Sequence, residues 1–425
     1  MLLIIFFAIG YLCIAMEHVI RVDKAASALL TGTVLWVLLS PPFSGLDPEG
    51  VNESLLHQLG EISSILFFLL AAMTIVELID THHGFDIITQ KITATNPIKL
   101  LWIIAIITFL LSSILDNLTT VIVIGTLLRK LINDKHLLFY FGGMAIIAAN
   151  TGGAFSPIGD VTTIMLWVSG KISATAVLKM IVLPSIVCLV IPLIMLSFRF
   201  RKMNIKVQAT KIVEDAGISR FEQLLVLIAG VLALIAVPIF KTWTHLPPFL
   251  GILFTLGLMW ALTEILHSKK EESAKSPLKV ASILRKVDSS SILFFLGILL
   301  AVVALQYSGS LTAMANWMDR EIGDIYAINT FIGAISAIVD NVPLVAASIG
   351  MYGADVFPMD HDFWLFLSYT AGTGGSMLII GSAAGVAIMG ILKIDFFWYV
   401  RHITLPALAG YLGGVAVYYF LLANH

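Results

Sequence analysis

Long apolar runs, each closed by a short polar stretch, dominate this chain. A bilayer core of about 30 Å takes roughly 20 apolar residues per helix. Ten candidate crossings follow, at roughly 1–17, 25–40, 61–79, 137–168, 177–198, 222–240, 247–267, 289–306, 362–392 and 402–422. Two further apolar stretches, about 99–132 and 325–352, are interrupted near their middle by polar clusters. These clusters are Asp116-Asn117-Leu118-Thr119-Thr120 and Asp340-Asn341-Val342-Pro343. Each stretch is read as a re-entrant hairpin with its tip inside the membrane, the plainer alternative being two short helices or one kinked span. The run from Met1 to Ala15 lacks a basic leader and a small-x-small site before Glu17, so it is read as a membrane helix.

Composition supports that reading. Hydrophobic residues make up 59% and charged residues 12% of 425 positions, against about 45–50% and 25% in an ordinary soluble domain. The mean hydropathy is +0.97. The net charge of −2 leaves no basic excess for nucleic acid. Cys13 and Cys188 both lie in apolar runs, which implies neither a disulfide framework nor a zinc site.

The basic residues orient the chain. With the two hairpins kept out of the count of crossings, 21 of the 25 Lys and Arg fall on one side; only Lys171, Lys179, Lys241 and Arg320 fall on the other. The positive-inside rule makes the rich side cytoplasmic, and both termini are then expected outside. The stretch 199–220 reads as a cytoplasmic linker, as does 268–287 between later helices. His82-His83, near a cytoplasmic helix end, reads as a solvated loop pair.

The halves on either side of the 199–220 linker, 1–198 and 221–425, resemble each other. Ser63-Ser64-Ile65-Leu66-Phe67-Phe68-Leu69 recurs as Ser290-Ser291-Ile292-Leu293-Phe294-Phe295-Leu296. Asp116-Asn117 recurs as Asp340-Asn341, Thr151-Gly152-Gly153 as Thr373-Gly374-Gly375, Gly159 as Gly381, and Lys171 and Pro184 as Lys393 and Pro406. Five crossings per half is an odd number, so the second half is inserted upside down. The fold class expected is an all-α polytopic membrane protein. It has two inverted-topology repeats of five helices, each with a re-entrant hairpin and a broken helix, the architecture of secondary transporters.

Three carboxylates, Asp116, Asp160 and Asp340, sit in the middle of apolar segments. Each costs at least about 2.5 kcal/mol on insertion scales unless it has a partner, a cavity or a cation. No Lys or Arg lies within ten residues of any of them. Neutral oxygen donors surround them instead: Asn117, Thr119 and Thr120 at the first; Asn150, Thr151, Ser156, Thr162 and Thr163 around the second; Ser336 and Asn341 at the third. Gly152, Gly153, Pro157 and Gly159 are expected to unwind the helix before Asp160. Gly372-Thr373-Gly374-Gly375-Ser376 through Gly381-Ser382 repeats that break without a carboxylate. Hard oxygen donors suit hard cations, so Asp160, Asp116, Asp340 and Asn150 are the expected ligands of a hard cation. Thr373 and Ser376 join them from the second break. Single Ser and Thr residues in such helices more often bond to their own backbone. Glu61, expected to begin the third helix, reads equally well as an interfacial residue. No HExxH, GxSxG or P-loop motif occurs, so neither an enzyme nor an ATP-driven pump is expected.

These residues carry a resemblance. Ala15-Met16-Glu17-His18, Phe67 through Glu77, Leu115-Asp116-Asn117-Leu118-Thr119-Thr120, Ala149 through Gly153 with Ser156-Pro157-Ile158-Gly159-Asp160, and Val339-Asp340-Asn341-Val342-Pro343 together resemble the NhaD-type Na+/H+ antiporters of the ion transporter superfamily. The resemblance covers essentially the whole chain. It implies exchange of Na+ or Li+ for H+ across a bacterial inner membrane, with the lipid bilayer, cations and protons as partners, no cofactor, and a homodimer as a candidate assembly. It points to Glu61, Asp116, Asn117, Asn150, Asp160, Thr162, Thr163, Ser336, Asp340 and Asn341 as functional. The alternative in the same superfamily is a carrier of dicarboxylate, citrate or arsenite. The carboxylate symporters resemble this layout with Ser-Asn-Thr at both hairpin tips, where this chain has Asp.

Overall fold

A computed structural model describes residues 2–89, 96–203, 218–268 and 276–423. Among them every regular element is helical and no strand occurs. The helices used below are α1 (Leu2–Ala15), α2 (Lys24–Leu39), α3 (Pro48–Thr81), α4 (Pro97–Ser112), α5 (Asn117–Leu131), α6 (Lys135–Ala154), α7 (Val161–Val168), α8 (Ala174–Met203) and α9 (Arg220–Thr244). They continue as α10 (Pro248–Leu266), α11 (Ser289–Tyr307), α12 (Ser310–Glu321), α13 (Ile325–Ile335), α14 (Asn341–Met351), α15 (Asp362–Gly374), α16 (Ala383–Leu392), α17 (Phe396–His402) and α18 (Thr404–Val417). Of the linker expected at 199–220, residues 204–217 lie outside the described residues.

Among the described residues seven helices are long and apolar enough to cross a bilayer, or eight if α16 and α17, bent by 112°, count as one span. Ten crossings were expected. The other three segments are shorter or divided: α1 has 14 residues, α2 has 16, and 362–392 is split into α15 and α16. Local sequence sets most boundaries. Asp47 accepts from Gly50 N at 3.0 Å, with Pro48 in the first turn; that cap extends α3 thirteen residues upstream of Glu61, where the helix had been expected to start. Asn96 and Asp134 cap α4 and α6 in the same way. Both interrupted stretches also turn on a cap. Asp116 starts α5 by accepting from Thr119 N at 2.7 Å, and Asp340 starts α14.

The glycines behave differently from expectation. α6 continues through Gly152 and Gly153 to Ala154; the chain leaves the helix only over 155–160, around Pro157. Gly152 serves close packing, since a Cβ there would collide with the carbonyl of Phe109 on α4. Gly374 meets the same limit against Gly333 on α13.

α6 and α15 form the centre, buried along nearly their whole length. α9 and α10 lie outermost and expose Ile239, Trp243, Phe254 and Ile265, the side chains a lipid-facing helix presents. Around the centre α2 packs on α11 and α3 on α10; α4 packs on α6 and α13 on α15; α5 packs on α16 and α7 on α14. His82 is buried, not solvated: its ring stacks on His267 at 5.0 Å because the ends of α3 and α10 meet.

Candidate functional site

The break at 155–160 delivers Asp160 as the residue before α7, in extended backbone, with its carboxylate unused as a cap. It is 2% exposed. Thr162 Oγ1 donates to Oδ2 at 2.6 Å, Asn341 Nδ2 to Oδ2 at 3.3 Å, and Asn117 Nδ2 to Oδ1 at 3.2 Å. All three donors are neutral. Asn117 also donates to Asn150 Oδ1 at 3.1 Å, and Asn150 Nδ2 reaches Ser376 Oγ at 2.9 Å and Ser382 Oγ at 3.0 Å. One hydrogen-bonded network thus joins the starts of α5, α7 and α14 to the second helix break. Buried polar groups need partners, and here they find them mainly in one another.

Asp116 and Asp340 face the same space. Asp116 accepts from Thr119 Oγ1 at 2.7 Å. Among the described residues neither Asp160 nor Asp116 pairs with a lysine or arginine. Asp340 does: Lys24 Nζ lies 3.6 Å from its Oδ2. Lys24 had been assigned to a loop on the basic side, but its ammonium reaches into the site. A cavity of about 60 Å³ is lined by all three aspartates, Asn117, Asn341 and Lys24, with Phe68, Leu69, Met73 and Phe295 forming an apolar wall. It adjoins a wider vestibule of about 500 Å³ that carries Glu17, Asp23 and Asp288; Lys24, Leu118, Ser291, Asp340 and Ala383 line both. Acidic groups around a low-dielectric cleft raise the local cation concentration.

The match with known proteins spans most of the chain. A family model described as citrate transporter matches residues 11–359. Sodium/proton antiporter 1 of Arabidopsis thaliana is 47% identical over 97% of this chain and 71% of its own length, and sodium/proton antiporter 2 is 45% identical over 97% of both. The Na(+)/H(+) antiporter NhaD of Alkalimonas amylolytica is 30% identical over 98% of this chain and 90% of its own. The chain belongs to the NhaD-type Na+/H+ antiporter family. This member of that family is a multi-pass membrane transporter.

The antiporter-family fold gathers some of the expected site residues and not others. Asp160, Asn117, Asn150, Thr162, Asn341 and Ser376 form one network. Thr151 and Thr373 bond to carbonyls of their own helices, Ile147 and Tyr369, each at 2.7 Å. Ser336 donates to Ala371 O at 3.1 Å, Ser156 accepts from Ile158 N at 3.4 Å, and Thr163 meets Ser368 at 3.3 Å. These five are buried structural contacts beside the network. Glu61 is exposed midway along α3 and lines neither cavity. Among the described residues no three His, Cys, Asp or Glu side chains close around a single point, so the three aspartates share a cavity and not one coordination sphere. Sequence reasoning missed Lys24, Ser382 and the acidic vestibule. Ser382 was named in the second break but not as a site residue; it stands 222 positions after Asp160, the offset that also relates Thr151 to Thr373 and Gly159 to Gly381.

Proposed function

We propose that this protein exchanges Na+ or Li+ for H+, with Asp160 as the central cation and proton ligand. Asn117, Asn150, Thr162 and Asn341 supply neutral oxygens, and Asp116 and Asp340 supply charge from the cavity wall. One observation carries the reading: a fully buried carboxylate, satisfied only by neutral donors, faces a cavity that an acidic vestibule feeds. A proton or a small cation can take the same oxygens in turn. The names of the plant and bacterial relatives support Na+ and H+ as the ions. Carriage of citrate or another anion finds less support, because three carboxylates against one ammonium repel a polyanion.

The reading includes an inverted repeat, 1–198 against 221–425, with the hairpins at 99–132 and 325–352 and a cytoplasmic linker at 199–220. Packing supports it: α5 on α16 has its counterpart in α14 on α7, and α4 on α6 in α13 on α15. Gly152 and Gly374 meet equivalent carbonyls. The bacterial relatives support a cytoplasmic membrane; the basic-residue count supports turning the basic side, and with it the vestibule, toward the cytoplasm.

The experiment is dissipation of a pH gradient in proteoliposomes on addition of Na+, Li+ or K+, one at a time. Asp160→Asn preserves shape and removes the charge. Its transport is expected at background while the protein inserts and purifies as the parent does. Near-normal exchange by that variant removes Asp160 from the site, and succinate or citrate uptake by the parent would favour the anion carrier.

A further inference from the structure

Among the described residues Lys24 is the only lysine or arginine on the walls of either the Asp160 cavity or its vestibule. It opens α2, with Asp23 capping that helix through Ala25 N at 2.8 Å. From this helix end its stem crosses the vestibule, and its ammonium lies 3.6 Å from Asp340 Oδ2 and 4.6 Å from the centroid of the Phe294 ring. Asp340 is adjacent in sequence to Asn341, whose amide donates to Asp160. The ammonium therefore stands where the vestibule narrows into the site, one residue removed from the network around the central carboxylate.

An ammonium and a sodium ion are both compact monovalent cations that seek carboxylate oxygen. The pair is neither a surface pair, since it lines the inner cavity, nor a sealed one: its side chains are 28% and 20% exposed. A pair of this kind adds little to stability but fixes what else Asp340 can hold. We propose that Lys24 is a tethered cation that occupies the Asp340 position, so that an entering Na+ competes with it and binding at the site stays weak enough for release. This rests on the cation-exchange reading. A carrier that holds its ion too tightly does not turn over. Three carboxylates around one cavity would do so without an internal counter-charge.

The test uses the full chain in proteoliposomes, with uptake of radioactive Na+ driven by a fixed pH gradient. In Lys24→Met, Asp340 is left uncompensated beside the site. The Na+ half-saturation concentration is expected to fall roughly tenfold, the effect of one extra charge in a partly desolvated cavity, and the maximal rate to fall with it. Asp340→Asn leaves the ammonium uncompensated and is expected to raise the half-saturation concentration by a similar factor. The double variant Lys24→Met/Asp340→Asn is expected to return toward the parent value. A pair with only a structural role would lower the melting temperature and leave the half-saturation unchanged. Should Lys24→Met fail to insert, Asp340→Asn and the double variant decide the matter. Parental half-saturation in all three variants, with Na+ uptake intact in the parent, overturns the proposal alone. No Na+ uptake by the parent overturns the exchange reading and this proposal with it.

Discussion

At Asp160 the three donors are two amides and one hydroxyl, and each can turn an oxygen toward the site in place of its hydrogen. Here the carboxylate is held by donors; a bound cation would instead be met by Asn117 Oδ1, Asn341 Oδ1 and Thr162 Oγ1, with the Asn117–Asn150 hydrogen bond given up. On the proposed reading, a proton on Asp160 removes the charge that attracts the cation, so the two ions exclude each other at these oxygens. The sign of the pH dependence follows. As pH falls, protons occupy a growing share of sites, and the Na+ half-saturation concentration rises. Simple competition sets the limit at about tenfold per pH unit for each proton displaced. Initial rates of Na+-driven proton movement, measured over a series of Na+ concentrations at several pH values, check this. A half-saturation that stays flat between about pH 7 and pH 9 would instead assign proton and cation to separate groups.

Among the elements, the helix breaks were legible in the sequence and their causes only partly so. Charged and amide residues inside apolar runs are costly, and for that reason Asp116, Asp160 and Asp340 stood out. The same letters did not reveal which glycines break a helix and which let two helices touch. Gly152 and Gly153 read as breakers yet are helical, because helix ends depend on what lies beyond them and close approaches depend on the partner helix. Lys24 was misplaced for a related reason: a lysine at a helix end reads as solvated whether its stem runs outward or inward. His82 was misread likewise, its burial set by α10. The packing role makes a prediction. Gly152→Ala places a methyl against the Phe109 carbonyl, so α4 and α6 must separate, at a cost of roughly 1–3 kcal/mol. Gly257→Ala, on the outer face of α10 with open space around its Cα, is expected to be neutral or slightly stabilising, by up to about 1 kcal/mol. Thermal unfolding in detergent compares the two, and equal melting temperatures would remove the packing argument for Gly152.

For the whole molecule, exchange requires that the site be reached from one side at a time, and the position of Asp160 relative to the helix ends decides which side is open here. Asn150 lies 15 residues along α6 from Lys135, a depth of about 22 Å at 1.5 Å per residue. The network around it is therefore far from the Lys135 end of that helix. At the other end of the molecule, the loops around Lys171 close over one another. Lys171 Nζ donates to Tyr352 O at 3.2 Å, Asp360 accepts from Ser173 N at 2.5 Å, and Tyr352 donates to Asp319 at 2.9 Å. That closed end carries the few basic residues assigned outside, whereas the vestibule carries Lys24 and the acidic groups of the basic-rich side. On the proposed orientation this arrangement is that of an inward-facing form, sealed at the Lys171 end and open through Glu17, Asp23 and Asp288. Lys135, which begins α6, and Arg320, next to Asp319, are both exposed and report on opposite ends. Single cysteines at these positions, in a chain with Cys13 and Cys188 replaced, are expected to react from opposite faces. A membrane-impermeant thiol reagent added to intact cells should label the Arg320 position and leave the Lys135 position unreacted until the membrane is opened. Labelling of both from outside would place the two ends on one face. It would undo the inverted repeat and, with it, the assignment of the vestibule to the cytoplasmic side.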